Sequence, residues 1–128
     1  YNKRVRNRDE ANRERNKFYH SLTWTSLREQ ALKRDCYLCQ YCLANGIKRP
    51  NSRVGDHITP AEIAPKIRTD LSNIATACRD CDNVKRKLEQ DIYGTGQGNT
   101  HKNTKLRLSV SQWAGLIARK KKDVREGL

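Results

Sequence analysis

The chemistry-bearing residues of this chain are two cysteine pairs, an Asp-His step and a set of amides and acids downstream. Cys39 and Cys42 make one C-x-x-C step, and Cys78 and Cys81 make another within "CRDCDNVKRK". Thiolates at that spacing on a tight turn reach one tetrahedral ion, and two such turns complete the four ligands of a closed structural zinc site. The stretch between Cys42 and Cys78 is longer than a compact zinc ribbon needs, so something is displayed between the knuckles. Cys36 also stands three residues before Cys39. The turn-forming "LANG" after Cys42 favours Cys39 with Cys42 as the ligand pair and leaves Cys36 a spare thiol. In the displayed stretch, "GDHITP" sets Asp56 beside His57, with Asn73 and "CDN" following. In most proteins an isolated Asp-His step is a turn with a surface histidine. Here it lies inside a clamped insert of a basic chain. A neutral imidazole that takes a proton from water, and oxygen ligands for a hard divalent ion, are what phosphodiester hydrolysis needs.

Composition narrows the classes. The 128 residues predict one domain, and with 35% hydrophobic and 6% aromatic residues its core is modest, so metal support or unstructured flanks are expected. Lys and Arg outnumber Asp and Glu by 27 to 14, a net charge of +13 and a pI near 9.9. That balance fits a polyanion, nucleic acid above all. No run approaches a membrane span, and an anionic-membrane role for "IARKKKDVR" is disfavoured because the apolar face of that helix is needed for packing. The basic N-terminus has no apolar segment behind it, which reads against a secretory signal and predicts an intracellular, cytoplasmic protein. Five cysteines, an odd count without signs of secretion, favour metal over disulfides.

These groups need elements to position them. Trp24, Leu27 and Ala31 share a helical face, predicting a helix over Thr23–Lys33 capped by Ser21 or Thr23, with Trp24 a core anchor rather than a base-stacking residue. A short strand is expected over Val54–Ile58, stopped by Pro60, and an extended piece over Ile74–Ala77. After Arg79 a helix puts Val84, Leu88 and Ile92 on one face. Residues 93–104 read as a flexible loop; its spaced glycines lack the Gly-Lys-Ser/Thr of a phosphate-binding loop. Val110, Trp113, Ala114 and Ile117 predict a final basic helix, capped by Ser109 or Ser111 and ended by Gly127. Residues 1–20 are a basic arm or a helix, and both readings stand.

"RDCYLCQYC", "VGDHITP" and "DLSNIATACRDCDNVKRK" together resemble the HNH endonucleases with their ββα-metal (His-Me finger) motif, in the subgroup with two C-x-x-C zinc knuckles. The likeness runs from Trp24 to Lys87, and within the family it looks most like the small terminase-associated proteins of bacteriophages. It implies a small α+β fold: a zinc-stabilised ββα-metal core over residues 21–92, flanked by N- and C-terminal helices. It further implies a metal-dependent DNA endonuclease with structural zinc and a catalytic Mg²⁺ or Mn²⁺. His57 is then the general base, Asp56 a ligand of the catalytic ion, and Asn73 the residue that orients the histidine or its loop. The family's last histidine is replaced here by Asp82, with Asn83 next. The two lie about 100° apart on a helix, so one of them completes the ion site. A carboxylate binds a hard cation more strongly, while an amide avoids repelling the phosphate. Arg53 or Arg79 is placed to assist at the phosphate, and Lys85, Arg86 and Lys87 lie where a DNA backbone runs. DNA is the expected partner; a phage origin adds terminase subunits and the host cytoplasm. The competing reading is a zinc-knuckle DNA-binding module without catalysis, which needs the charge and the cysteines but not Asp56, His57 and Asn73 together.

Overall fold

The computed structural model describes residues 3–96 and 100–127. Residues 97–99, inside the loop expected over 93–104, lie outside the described residues, as do the two ends of the chain. Helix α1 spans Lys3–Tyr19, α2 Leu22–Arg34 and α3 Gln40–Ala44; β1 is Val54–His57, β2 Ile74–Ala77, α4 Arg79–Tyr93 and α5 Val110–Arg125. Two short 3₁₀ turns, Pro65–Ile67 and Leu71–Asn73, sit between the strands. The N-terminal segment, open between arm and helix in the sequence, is helical over α1.

Capping chemistry sets the helix starts. The Ser21 side chain accepts from the Trp24 N–H, and Ser109 with Gln112 forms a reciprocal capping box at α5. Cysteine does the same at the knuckles: Cys39 Sγ accepts from Cys42 N–H at 3.4 Å and Cys78 Sγ from Cys81 N–H at 3.4 Å. Each C-x-x-C step is therefore the first turn of a helix, α3 or α4. Helix α4 stops at Gly94, whose φ of 72° is one that only glycine adopts freely.

The strands pair antiparallel with Asp56 opposite Ala75 and His57 opposite Ile74. Alternation along a strand sends successive side chains to opposite faces. One face, with Gly55, His57, Ile74 and Thr76, packs on α2 through a small cluster of Trp24, Ala31 and Ile74, with Phe18, Leu27 and Leu71 against it. The other, with Val54, Asp56, Ala75 and Ala77, joins the larger core of Tyr41, the four knuckle cysteines, Tyr93, Trp113, Ala114 and Ile117. Gly55 permits the first packing. A Cβ there would stand 2.7 Å from Arg28 Cγ and 3.3 Å from Trp24 Cζ2, so a side chain would force α2 off the hairpin. The outer edge of β2 is closed by α2: Arg34 donates to the Leu71 and Ile74 carbonyls, and Asp35 accepts from the Thr76 N–H at 3.0 Å.

One expected pattern differs. The sequence places Val84, Leu88 and Ile92 on the inner face of α4, yet these are half-buried, and Cys81, Lys85 and Tyr93 point fully inward. The knuckle fixes the rotation. Cys81 must face the other sulfurs, and positions four residues apart follow it into the core.

Candidate active site and metal centre

The ligand atoms of Cys39, Cys42, Cys78 and Cys81 all lie within 4.8 Å of one another, and all four residues are buried. Sulfurs at the corners of a tetrahedron 2.3 Å from an ion stand roughly 3.8 Å apart. Cys42 Sγ lies 3.6 Å from Cys81 Sγ and 3.9 Å from Cys78 Sγ. Cys36 is exposed and outside the cluster. Without an ion the thiols of Cys39 and Cys42 are driven apart: the Cys81 thiol, as donor, draws Cys39 down to about 4, while burial pushes Cys42 up to about 11. Cys39, Cys42, Cys78 and Cys81 would hold a dication as four thiolates, which would remove that conflict. Lys121, reaching over from α5, donates to Cys81 Sγ at 3.5 Å and offsets part of the thiolate charge. The set fits a structural metal such as zinc.

His57 ends β1 and is 5% exposed. Its ring stacks on Trp24 with centroids 4.9 Å apart, so the expected core anchor is also the floor under the histidine. Nε2 lies 2.9 Å from the Arg68 carbonyl oxygen, and Nδ1 lies 3.2 Å from the Tyr19 hydroxyl. A carbonyl only accepts, so Nε2 carries the proton and Nδ1 keeps the lone pair. Burial, partly opposed by the bond to Arg68, pulls the imidazole pKa below its ordinary value and holds the ring neutral at physiological pH. The loop after His57 is clamped by Asn73, which is itself buried: its Oδ1 accepts from the Thr59 N–H at 2.9 Å and its Nδ2 donates to the Thr59 carbonyl at 3.0 Å.

Asp56 faces the other side of the hairpin. Tyr41 donates to Asp56 Oδ2 at 2.5 Å, and Lys85 Nζ lies 3.1 Å from the same oxygen. Both contacts fall on Oδ2, and no described residue donates to Oδ1. Asp82, in the first turn of α4, has a carboxyl pushed up by burial and further by the charge of Asp56. Arg86 pairs with Asp82 at 3.1 Å from the solvent side. Asn83 is exposed. Asp56 with Asp82 is a donor set suited to a hard divalent ion.

The basic residues separate. Arg53, Arg79, Arg86 and Lys87 are exposed, Arg53 lying 5.0 Å over the Tyr37 ring. Lys85, expected on the DNA-facing surface, is instead completely buried. It donates to the His57 carbonyl at 2.9 Å, pairs with Asp56 and Glu89, and sits 4.5 Å over the Trp113 ring. An ammonium so enclosed reaches no DNA backbone. The sequence held a signal for this, since Cys78, Cys81 and Lys85 are spaced i, i+3 and i+7 and share a helix face. Glu89, whose carboxyl burial raises to about 7, follows four residues later. Tyr19 and Tyr41 carried no such signal, because their partners are 38 and 15 residues away.

A two-stranded hairpin leading into a helix, closed by four cysteines and carrying a histidine at the strand end, is the ββα architecture of a metal-dependent nuclease. The model of the HNH endonuclease family matches residues 39–87. A solved structure, the HNH endonuclease of the deep-sea thermophilic bacteriophage GVE2 with manganese ion, is similar at 33% identity and a TM-score of 0.60, covering 70% of this chain and 95% of that one. No curated protein matches the chain. The chain belongs to the HNH endonuclease family and is a metal-dependent nuclease. Among the described residues, no helix is long and apolar enough to cross a membrane.

Proposed function

We propose that the protein hydrolyses phosphodiester bonds of DNA with His57 as general base, beside a Mg²⁺ or Mn²⁺ ion held by Asp56 and Asp82. The observation that carries this reading is the polarity of the His57 ring: Nε2–H is fixed on the Arg68 carbonyl, so the lone pair is on Nδ1. That nitrogen takes the proton from water as the oxygen attacks phosphorus. Asn73 keeps the loop beyond His57 from shifting, while Tyr41 and Lys85 hold Asp56 Oδ2 and leave Oδ1 for the cation. Asp56 and His57 leave opposite faces of the strand, so the phosphate that meets both lies across the end of β1. Asp56 and Asp82 would hold a divalent ion there, which would stabilise the charge that builds on the phosphate and the leaving oxygen.

Zinc as the ion of the cysteine clamp is supported by the tetrahedral sulfur spacing. DNA is supported by the net charge of +13, with Arg53, Arg79, Arg86 and Lys87 as exposed candidates for phosphate contacts. Manganese is supported by the ion bound in the similar phage enzyme. The phage source of that enzyme supports action in the host cytoplasm; a terminase partner in DNA packaging rests on the sequence resemblance alone. Supercoiled plasmid incubated with Mg²⁺, Mn²⁺ or EDTA tests the reading. Nicked or linear product with either metal and none with EDTA is expected; tight DNA binding without cleavage under every condition would leave a zinc-knuckle binding module.

A further inference from the structure

The nucleophile's seat on the base is taken. We propose that Tyr19 belongs to the active site, and that its hydroxyl holds the place of the attacking water on His57 until substrate displaces it. The proposal rests on His57 being the base. A neutral imidazole has one lone-pair nitrogen, here Nδ1, and the Tyr19 hydroxyl stands 3.2 Å from it. Water activated by that nitrogen has to donate its hydrogen to the same lone pair, so hydroxyl and water exclude one another. Burial, reinforced by the charge of Asp56, raises the Tyr19 pKa to about 12, which keeps the phenol a donor.

The cap is held by rings. Tyr19 meets Phe18, Trp24 and His57 edge-on at centroid distances of 5.3, 5.1 and 5.9 Å. Arg68, whose carbonyl fixes the other side of the imidazole, lies 4.6 Å over the Phe18 ring. Helix α1 carries seven basic against three acidic residues over Lys3–Tyr19, and among its described residues Phe18 and Tyr19 supply the ring contacts to the rest of the fold. A polyanion attracts such a helix, and displacing the Tyr19 hydroxyl from Nδ1 while the ring contacts persist costs one neutral hydrogen bond. Substrate therefore uncovers the base that acts on it.

Tyr19→Phe tests this, because it keeps the ring and removes only the hydroxyl. The variant is expected to raise kcat/KM for plasmid cleavage with Mn²⁺ by roughly 2- to 10-fold, the worth of one hydrogen bond. In protein free of DNA and catalytic metal, the ¹⁵N resonance of His57 Nδ1, assigned by its absence in His57→Ala, should move toward the free-imine position. A kcat/KM that is unchanged or lowered in a folded, zinc-replete variant overturns the cap, as does a fixed Nδ1 resonance. If neither protein cleaves DNA, the nuclease reading fails and the resonance alone decides the cap.

Discussion

Lys85 Nζ lies 3.1 Å from Asp56 Oδ2, and nothing of the lysine side chain reaches solvent. The ammonium is enclosed between two acids, Asp56 and Glu89, with the Trp113 ring over it. Such a pair adds little over an apolar filling, yet removing one partner strands the other charges in a dry site. Lys85→Met is expected to cost about 3–5 kcal/mol of folding stability. Denaturant unfolding checks it; a loss within ~0.5 kcal/mol, the range of ordinary surface changes, would mean the lysine is not enclosed as described.

The knuckles make a prediction that separates one cysteine from the others. Purified protein should hold about one zinc ion per chain, and prolonged chelation should abolish cooperative unfolding. Cys39→Ser should lose the ion and the fold together. Cys36→Ser, altering an exposed thiol outside the cluster, should shift stability by no more than ~0.5 kcal/mol. Elemental analysis that finds no zinc in folded, active protein would remove the clamp.

Burial of His57 has a sign that can be followed through pH. The ordinary imidazole value is 6.5 and the folded value is lower. A cation at Asp56 moves it further the same way. The base is thus neutral above pH 6.5, and kcat/KM should be level there, falling tenfold per unit only once the pH drops through the lowered folded value. Stability follows the same window: the unfolded chain takes up the proton first, so His57's contribution is present above 6.5 and lost as pH falls toward the folded value. An acid limb centred above pH 7 would contradict the buried, neutral assignment.

Helix α4 presents two candidates for the third position, and their environments differ. Asp82 is half-buried and its carboxyl feels the charge of Asp56, whereas Asn83 is exposed. Asp82→Ala should need far more Mn²⁺ for half-maximal cleavage, while Asn83→Ala should titrate like the wild type. The reverse result would transfer the ligand to the amide, and two normal titrations would confine this segment to the zinc clamp.

What was legible in the sequence follows from the range of the interactions. The four knuckle cysteines, the hairpin strands and the faces of α2 and α5 are written in local spacing, and the structure gathers the four sulfurs while leaving Cys36 out. Trp113, Ala114 and Ile117 point inward as their periodicity requires. A basic run looks solvated in sequence, yet the knuckle turns α4 so that one member of the run, Lys85, faces the core. The short α3 escaped notice because its cap is a thiol, outside the usual Ser, Thr, Asp and Asn. Tyr19 on His57 and Tyr41 on Asp56 are tertiary meetings that no spacing rule anticipates.

The assignment of the base is tested most directly by cleavage with His57→Ala. Supercoiled plasmid should be cut at least about 10²-fold more slowly than by the wild type at saturating Mn²⁺, the loss expected for a general base. Zinc content and DNA affinity should be retained, since His57 touches neither the cysteine clamp nor the exposed arginines. Cleavage at the wild-type rate by that folded, DNA-binding variant would contradict the account and pass the proton transfer to another group.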